Sequence, residues 1–116
     1  MNTSYLQDLR KYPECHPELP PDAILTLDDD SKHYTHKVVL ATQSDFFEGL
    51  FTFEDKMHYQ ISNPIDHQLN KENFELILDT FYEIEPDFLD QDQVVEIRRL
   101  ANYLLAPFLM KKCQDL

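Results

Sequence analysis

A chain of 116 residues with a single glycine, Gly49, and seven prolines has few ways to turn tightly. Two-residue β-hairpin loops need positive φ and favour Asn-Gly or Asp-Gly pairs. The chain contains neither. That shortage argues against an all-β domain and favours helices joined by turns built on Pro and Asp. It also removes every glycine-rich phosphate loop, because such loops need several residues without a Cβ beside the ligand.

The periodicities agree. Tyr5, Leu6, Leu9 and Tyr12 have helical spacing, with Ser4 placed to cap and Pro13 to stop the helix. "PECHPELPP" is too rich in proline for a helix and reads as an extended linker. "DAILTL", from Asp22 to Leu27, is a β-prone buried run. The polar turn Asp28–Lys32 leads to a short return strand, His33–His36. A short helix, Lys37–Gln43, comes next. Ser44 is then placed to cap another helix, with Glu48 close behind it, loosely a capping arrangement. Met57, Tyr59 and Ile61 alternate with His58, Gln60 and Ser62, the period of a half-buried strand.

From Asn70 the period changes to that of a helix, with Phe74, Ile77, Leu78, Phe81 and Tyr82 forming one stripe. "DFL" is either a short strand or a turn. A second stripe holds Val94, Ile97, Leu100, Ala101, Leu104 and Leu105, with Asp90 or Asp92 favouring its N-terminus. Pro107 suits the first turn of a last helix. The expected fold is α+β: a small, mainly three-stranded sheet packed by a cluster of about five or six helices. Residues 1–21 are expected to form a short helix and Pro-rich linker, and residues 22–116 the domain proper.

Charge narrows the function. Ten Lys and Arg against 22 Asp and Glu leave a formal net charge of −12. Such a surface repels phosphate backbones and anionic lipid, so no nucleic-acid or membrane partner is expected. No segment approaches the ~20 apolar residues that cross a bilayer, and the first residues lack a signal-peptide core. Cys15 and Cys113 are read as free thiols in a reducing compartment, the cytoplasm or nucleus.

The chemistry-bearing residues point to structure. His36, Ser44 and Asp45 suggest a hydrolytic triad, but Ser44 at a helix N-cap commits its oxygen to backbone N–H groups. No glycine flanks Ser44 to build a nucleophile elbow. His36 is expected to be partly buried, a ring nitrogen bonding a nearby backbone group to lock the strand-to-helix turn. His33 and His36, three apart on a strand, point to opposite faces and lack further zinc ligands. Asp28, Asp29 and Asp30 lack the spacing of a calcium loop and read as a solvated turn. No catalytic residue, metal site or cofactor is expected.

Taken together, Asp22, His36, Lys37, Leu40, Ser44, Phe47, Leu50, Phe51 and Tyr82 resemble the pattern of the BTB/POZ domain family, and the likeness runs from about Asp22 to Cys113. The resemblance implies protein–protein contact without catalysis. Many members form homodimers through an N-terminal helix, here Tyr5, Leu6 and Leu9. Many recruit a cullin-3 scaffold as substrate adaptors of ubiquitin ligases; others assemble transcriptional repressors or channel subunits. It places Phe47 in the core; Phe46 is then either a second core residue, if its helix is covered on a wide arc, or a contact residue on a partner surface running through Phe53, Glu54, Asp55, Met57 and Tyr59. Asp22 and Lys37 match a charged pocket near the dimer interface, or else form a simple surface salt bridge.

The chain departs from that pattern in three places. Its first helix is short and set apart by the linker. The glycine that usually follows the position of Tyr82 is missing, which implies a remodelled loop. The hydrophobic-x-Glu motif of cullin binders is represented only by Phe53-Glu54-Asp55, at a shifted offset. A monomeric Skp1/elongin-C-like cullin-binding subunit is the alternative within the same fold, and a small hydrolase the alternative from another class.

Overall fold

A computed structural model describes residues 3–11, 19–64, 68–88 and 90–114. Tyr12, Pro13, the Cys15-His16 pair and Leu89 lie outside them, as do the side chains of Ser4 and Tyr5. The apolar run after Asp22 forms β1 (Ala23–Leu27), the centre of a three-stranded sheet. β2 (Lys32–Thr35) returns antiparallel, with Leu25 opposite His33. β3 (His58–Ile61) lies parallel to β1 on its other side, with Leu25 opposite Tyr59. A parallel neighbour requires a crossover, and α2 (Lys37–Gln43) and α3 (Asp45–Phe53) supply it. Ala23, Leu25, Leu27, Tyr59 and Ile61 face the helices and are buried.

The other face of that core comes from α4 (Lys71–Phe81) and α5 (Gln91–Tyr103), whose stripes bury Phe74, Ile77, Leu78, Phe81, Val94, Ile97 and Leu100. Asn70 and Asp90 cap them, accepting the N–H of Asn73 and Gln93 at 2.9 Å each. α6 (Pro107–Gln114) closes the chain and buries Leu109 and Cys113. Burial pushes the free Cys113 thiol above its ordinary pKa. The "DFL" segment forms no strand among the described residues. α1 (Thr3–Lys11) packs on α4 through the fully buried Leu9.

Arg10 adds a contact that periodicity does not announce. Its guanidinium reaches Glu75 Oε2 at 2.5 Å, and its Nε lies 3.3 Å from Asp79 Oδ1 without the alignment of a hydrogen bond. Burial raises the pKa of Asp79, and the Arg10 charge partly offsets that rise. Glu75 and Asp79 are four apart on α4 and therefore share a face.

The turns show how the chain manages with one glycine. In the β1–β2 connection, Asp30 takes the left-handed conformation at φ 67°. The Asp30 N–H donates to Leu27 O and the Leu27 N–H to Ser31 O, both at 3.0 Å. Asp tolerates this backbone better than most residues. The turn is more than solvated, contrary to the sequence expectation. Asp28 Oδ2 accepts from the Asn63 N–H and Asp29 Oδ2 from the Lys71 N–H, each at 2.7 Å, which fixes the start of α4. Hydrogen bonds, first from Ser31 and then from Lys71, hold the Asp29 carboxyl below its usual pKa.

Both long helices end in the same motif. After α4, the Glu83 N–H donates to Thr80 O and the Ile84 N–H to Asp79 O; after α5, Leu105 N–H donates to Asn102 O and Ala106 N–H to Ala101 O. These are Schellman closures, whose left-handed residue is usually glycine. Here Glu83 at φ 62° and Leu105 at φ 52° fill it. The loop after Tyr82 therefore keeps a regular helix stop with glutamate in the glycine position. Leu105 leaves the α5 stripe and is 54% exposed, while Leu104 is buried. Gly49, by contrast, lies inside α3 with no positive φ, and a Cβ there would meet nothing within 4 Å among the described residues. Glycine in a helix interior costs about 0.5–1 kcal/mol relative to alanine.

Candidate partner-binding surface

His36 and Ser44 bracket α2 and are 1% exposed each. The Tyr82 hydroxyl accepts the His36 backbone N–H at 3.0 Å and lies 2.8 Å from His36 Nδ1. His36 Nε2 lies 3.1 Å from Leu19 O. A carbonyl only accepts, so Nε2 carries the hydrogen and Nδ1 accepts the Tyr82 O–H. Burial raises the Tyr82 pKa well above the ordinary tyrosine value. His36 has left β2 and is buried beside Tyr82, whereas His33 lies on β2 against Phe74; strand alternation does not separate the two by burial.

Ser44 caps α3 by accepting the Phe47 N–H at 3.2 Å and donates to Leu104 O at 2.5 Å. Both its functions are structural, and His36 is bonded to Tyr82 and Leu19.

A second constellation resembles a triad more closely. Ser31 Oγ lies 3.0 Å from His33 Nε2, and His33 Nδ1 lies 3.7 Å from Glu75 Oε1. Yet the Ser31 hydroxyl donates to Asp29 Oδ1 at 2.5 Å, and the Ser31 N–H bonds the same oxygen. Its proton is committed to a carboxylate rather than to the imidazole. Burial lowers the His33 pKa, opposed by Glu75. The group is a turn fastener that ties β2 to α4.

The apolar display lies elsewhere. On α3, Phe47 is fully buried while Phe46 is half-buried, its ring 5.2 Å from Phe47 and 5.4 Å from Tyr103. Phe53, six residues beyond Phe47, is 88% exposed. The N-terminus of α3 abuts the α5–α6 corner: the Asp45 N–H donates to Leu105 O at 3.2 Å and the Phe46 N–H to Leu104 O at 3.4 Å. Tyr103, Leu105 and Phe108 on that corner are exposed large apolar residues. Sequence reasoning did not assign them to the surface, because an apolar residue on a helix reads as core by default. Leu104 and Leu105 in succession were the available signal, since adjacent residues lie about 100° apart.

Beyond α3, Glu54, Asp55 and Met57 are exposed as the sequence suggests, but Tyr59 is 3% exposed. Its hydroxyl donates to Glu54 O at 2.6 Å and accepts the Lys56 N–H at 3.2 Å. Tyr59 therefore shapes the 54–57 segment from beneath, and its ring is not available as a contact surface.

Asp22 and Lys37 are neighbours, joined through backbone. Asp22 Oδ1 accepts the Lys37 N–H at 2.8 Å at the start of α2. The Lys37 ammonium lies 3.5 Å from Asp55 Oδ1 and over the rings of Phe51 and Tyr59, 5.8 and 5.6 Å from their centroids. On the opposite side of α2, Leu6, Val38, Val39, Thr42, Gln43, Phe81 and Glu83 line a groove of about 220 Å³. Leu6 contributes to that groove, while Leu9 is committed to the chain's own core. Among the described residues no group of three or more His, Cys, Asp or Glu is arranged to hold a metal ion.

The BTB/POZ domain family model matches residues 14–116. The chain is similar in structure to the BTB domain of zebrafish PATZ1, with a TM-score of 0.75 and 22% identity over 97% of this chain and 87% of that one. It is also similar to the BTB (Tramtrack and Bric a brac) domain of human gigaxonin, with a TM-score of 0.70 and 18% identity over 99% of this chain and 92% of that one. No curated protein sequence matches the chain.

Proposed function

The chain belongs to the BTB/POZ domain family, and from that premise we propose that it is an adaptor that presents α3 and the α5–α6 corner to a cullin-3 scaffold. BTB domains are in general protein–protein interaction modules, so the task is to hold partners together. The single observation that carries the reading is the display of large apolar side chains on two joined elements, Phe53 on α3 and Tyr103, Leu105 and Phe108 on the α5–α6 corner, beside buried fasteners that fix its shape. Aromatic anchors with an acidic rim are what a specific interface uses for affinity and orientation. A substrate held beside a charged ubiquitin-conjugating enzyme reacts faster through raised effective concentration, and the adaptor supplies no nucleophile. Such work belongs in the cytoplasm or nucleus.

Calorimetric titration of the whole chain with the N-terminal domain of cullin-3 tests this. Binding by the native chain, weakened about 30-fold or more in a Phe53→Ala, Asp55→Ala double variant, is the expected result for loss of an anchor. A native chain that leaves the cullin unbound sinks the reading.

Self-association is a second reading, favoured by the groove between α1 and α2, where Val38 is 57% exposed. Light scattering separates it from a monomeric Skp1/elongin-C-like subunit: a dimer lost in Val38→Glu supports it, and a native monomer removes it.

A further inference from the structure

We infer that Gly49 marks the point where an α-helix of a partner crosses α3, and that this helix carries basic residues beside the crossing. The inference rests on the partner-surface reading above and names the shape and charge of what docks there. Gly49 is the only glycine of the chain. Three positions that glycine would suit, the left-handed Asp30, Glu83 and Leu105, do without it. At Gly49 itself the backbone is helical, and an added Cβ would meet nothing within 4 Å among the described residues. Neither conformation nor packing among the described residues requires a missing Cβ there, and only proline is a poorer residue for a helix interior. What a bare stretch of helix provides is close approach. The distance between packed helices is set by the side chains at their contact, and a small residue at the crossing brings the backbones nearer.

The surroundings say what would lie there. Residues at i−4, i−3, i+3 and i+4 surround a helical position, and for Gly49 these are Asp45, Phe46, Thr52 and Phe53. Half-buried Phe46 and exposed Phe53 form two apolar walls with Gly49 as the floor between them. A bulky aliphatic or aromatic side chain of the incoming helix seats on that floor. Asp45 and Glu48, exposed at the same end, enter no ion pair among the described residues. Lysine or arginine on the partner helix completes them. A flat acidic partner surface or a β-strand would have no use for the missing Cβ.

The test is selection of amphipathic helical peptides from a displayed library whose flanks vary freely between Lys/Arg and Asp/Glu, with the native chain as target. Enrichment of basic-flanked helices is the expected result. Their affinity should fall about tenfold in Gly49→Ala and further in Gly49→Leu, as overpacking a fitted contact does. Gly49→Ala should also raise the melting temperature by about 4 °C. The inference is overturned if no helix is selected, if the enriched flanks are acidic, if Gly49→Ala binds the selected helices as well as the native chain does, or if it lowers the melting temperature. The cullin-3 domain, titrated against the same variants, decides only the adaptor reading: basic helices that depend on Gly49, with no cullin binding, sink that reading and leave the crossing intact.

Discussion

Phe47 and Phe53 lie on one short helix and have opposite fates. Phe47 is wholly enclosed, touching the rings of Phe46, Phe51, Phe74 and Phe81. Phe53 at the end of the same helix is almost fully exposed. The same division runs through the polar groups. Tyr82 uses its hydroxyl inside the molecule, on His36, while the Asp55 carboxylate faces water and meets Lys37 at the rim. One region holds the fold and the other displays a surface, and residue type does not tell them apart. Burial and completed hydrogen bonds do.

The largest effect that tests this division is on stability. Phe47→Ala is expected to cost about 3–5 kcal/mol, as a large side chain removed from a closed core does. Phe53→Ala is expected to change stability by less than about 0.5 kcal/mol while weakening partner binding. Urea unfolding of the two variants checks the contrast, and similar losses in both would erase it. Next comes Tyr82→Phe, which leaves the buried His36 N–H without its acceptor at a cost of about 1–3 kcal/mol. The fold should lose stability and the rim should keep its binding at temperatures where the variant remains folded.

A gain of about 1 kcal/mol is expected for Glu83→Gly and for Leu105→Gly, which relieve left-handed backbone at a β-carbon-bearing residue. Thermal unfolding measures it; a loss in both would mean that the side chains contribute more than the strain. Leu105→Gly should at the same time weaken binding at the α5–α6 corner, whereas Glu83→Gly should leave it unchanged.

The pH dependence sharpens the view of the buried side. His33 has its pKa lowered by burial, with Arg10 and Lys71 pushing the same way and Glu75 and Asp29 opposing. Below an unfolded value of about 6.5 the unfolded chain binds the proton more readily than the folded one. This contribution to stability is therefore full above that value and is lost as the pH falls through the folded pKa. Unfolding free energies at pH 7.5 and 5.5 should show the decline, and His33→Gln should flatten it. An equal slope in the variant would assign the effect to another group.

Much of the frame was legible from local pattern. The strand alternation, the two helical stripes and the caps at Ser44, Asn70 and Asp90 each depend on residues close in sequence, where composition carries the information. The misses are long-range. Nothing near Asp28 or Asp29 says that their carboxylates close on the N–H groups of Asn63 and Lys71, and nothing near Arg10 points to Glu75 and Asp79. Alternation put Met57 and Tyr59 on one face, but β3 begins at His58, so Met57 lies before the strand and is exposed while Tyr59 is buried. Of the candidate surface, Phe53, Glu54 and Asp55 were named through the family resemblance, as a shifted hydrophobic-x-Glu motif, and not from local pattern. Tyr103 and Phe108 were not named, because only packing tells which apolar side chains a core leaves out.

The joint between α3 and the α5–α6 corner has a mechanical consequence. The positive end of one helix meets the carbonyls that close another, and the Asp45 and Phe46 N–H groups together with the Ser44 hydroxyl all bond to Leu104 and Leu105. Opposed dipole ends attract, so the two elements of the proposed partner surface are tied to each other at one joint. A ligand gripping only one side cannot pry it open without breaking bonds at the hinge. Tension applied to α3 would therefore travel into α5 rather than dissipate in a yielding loop.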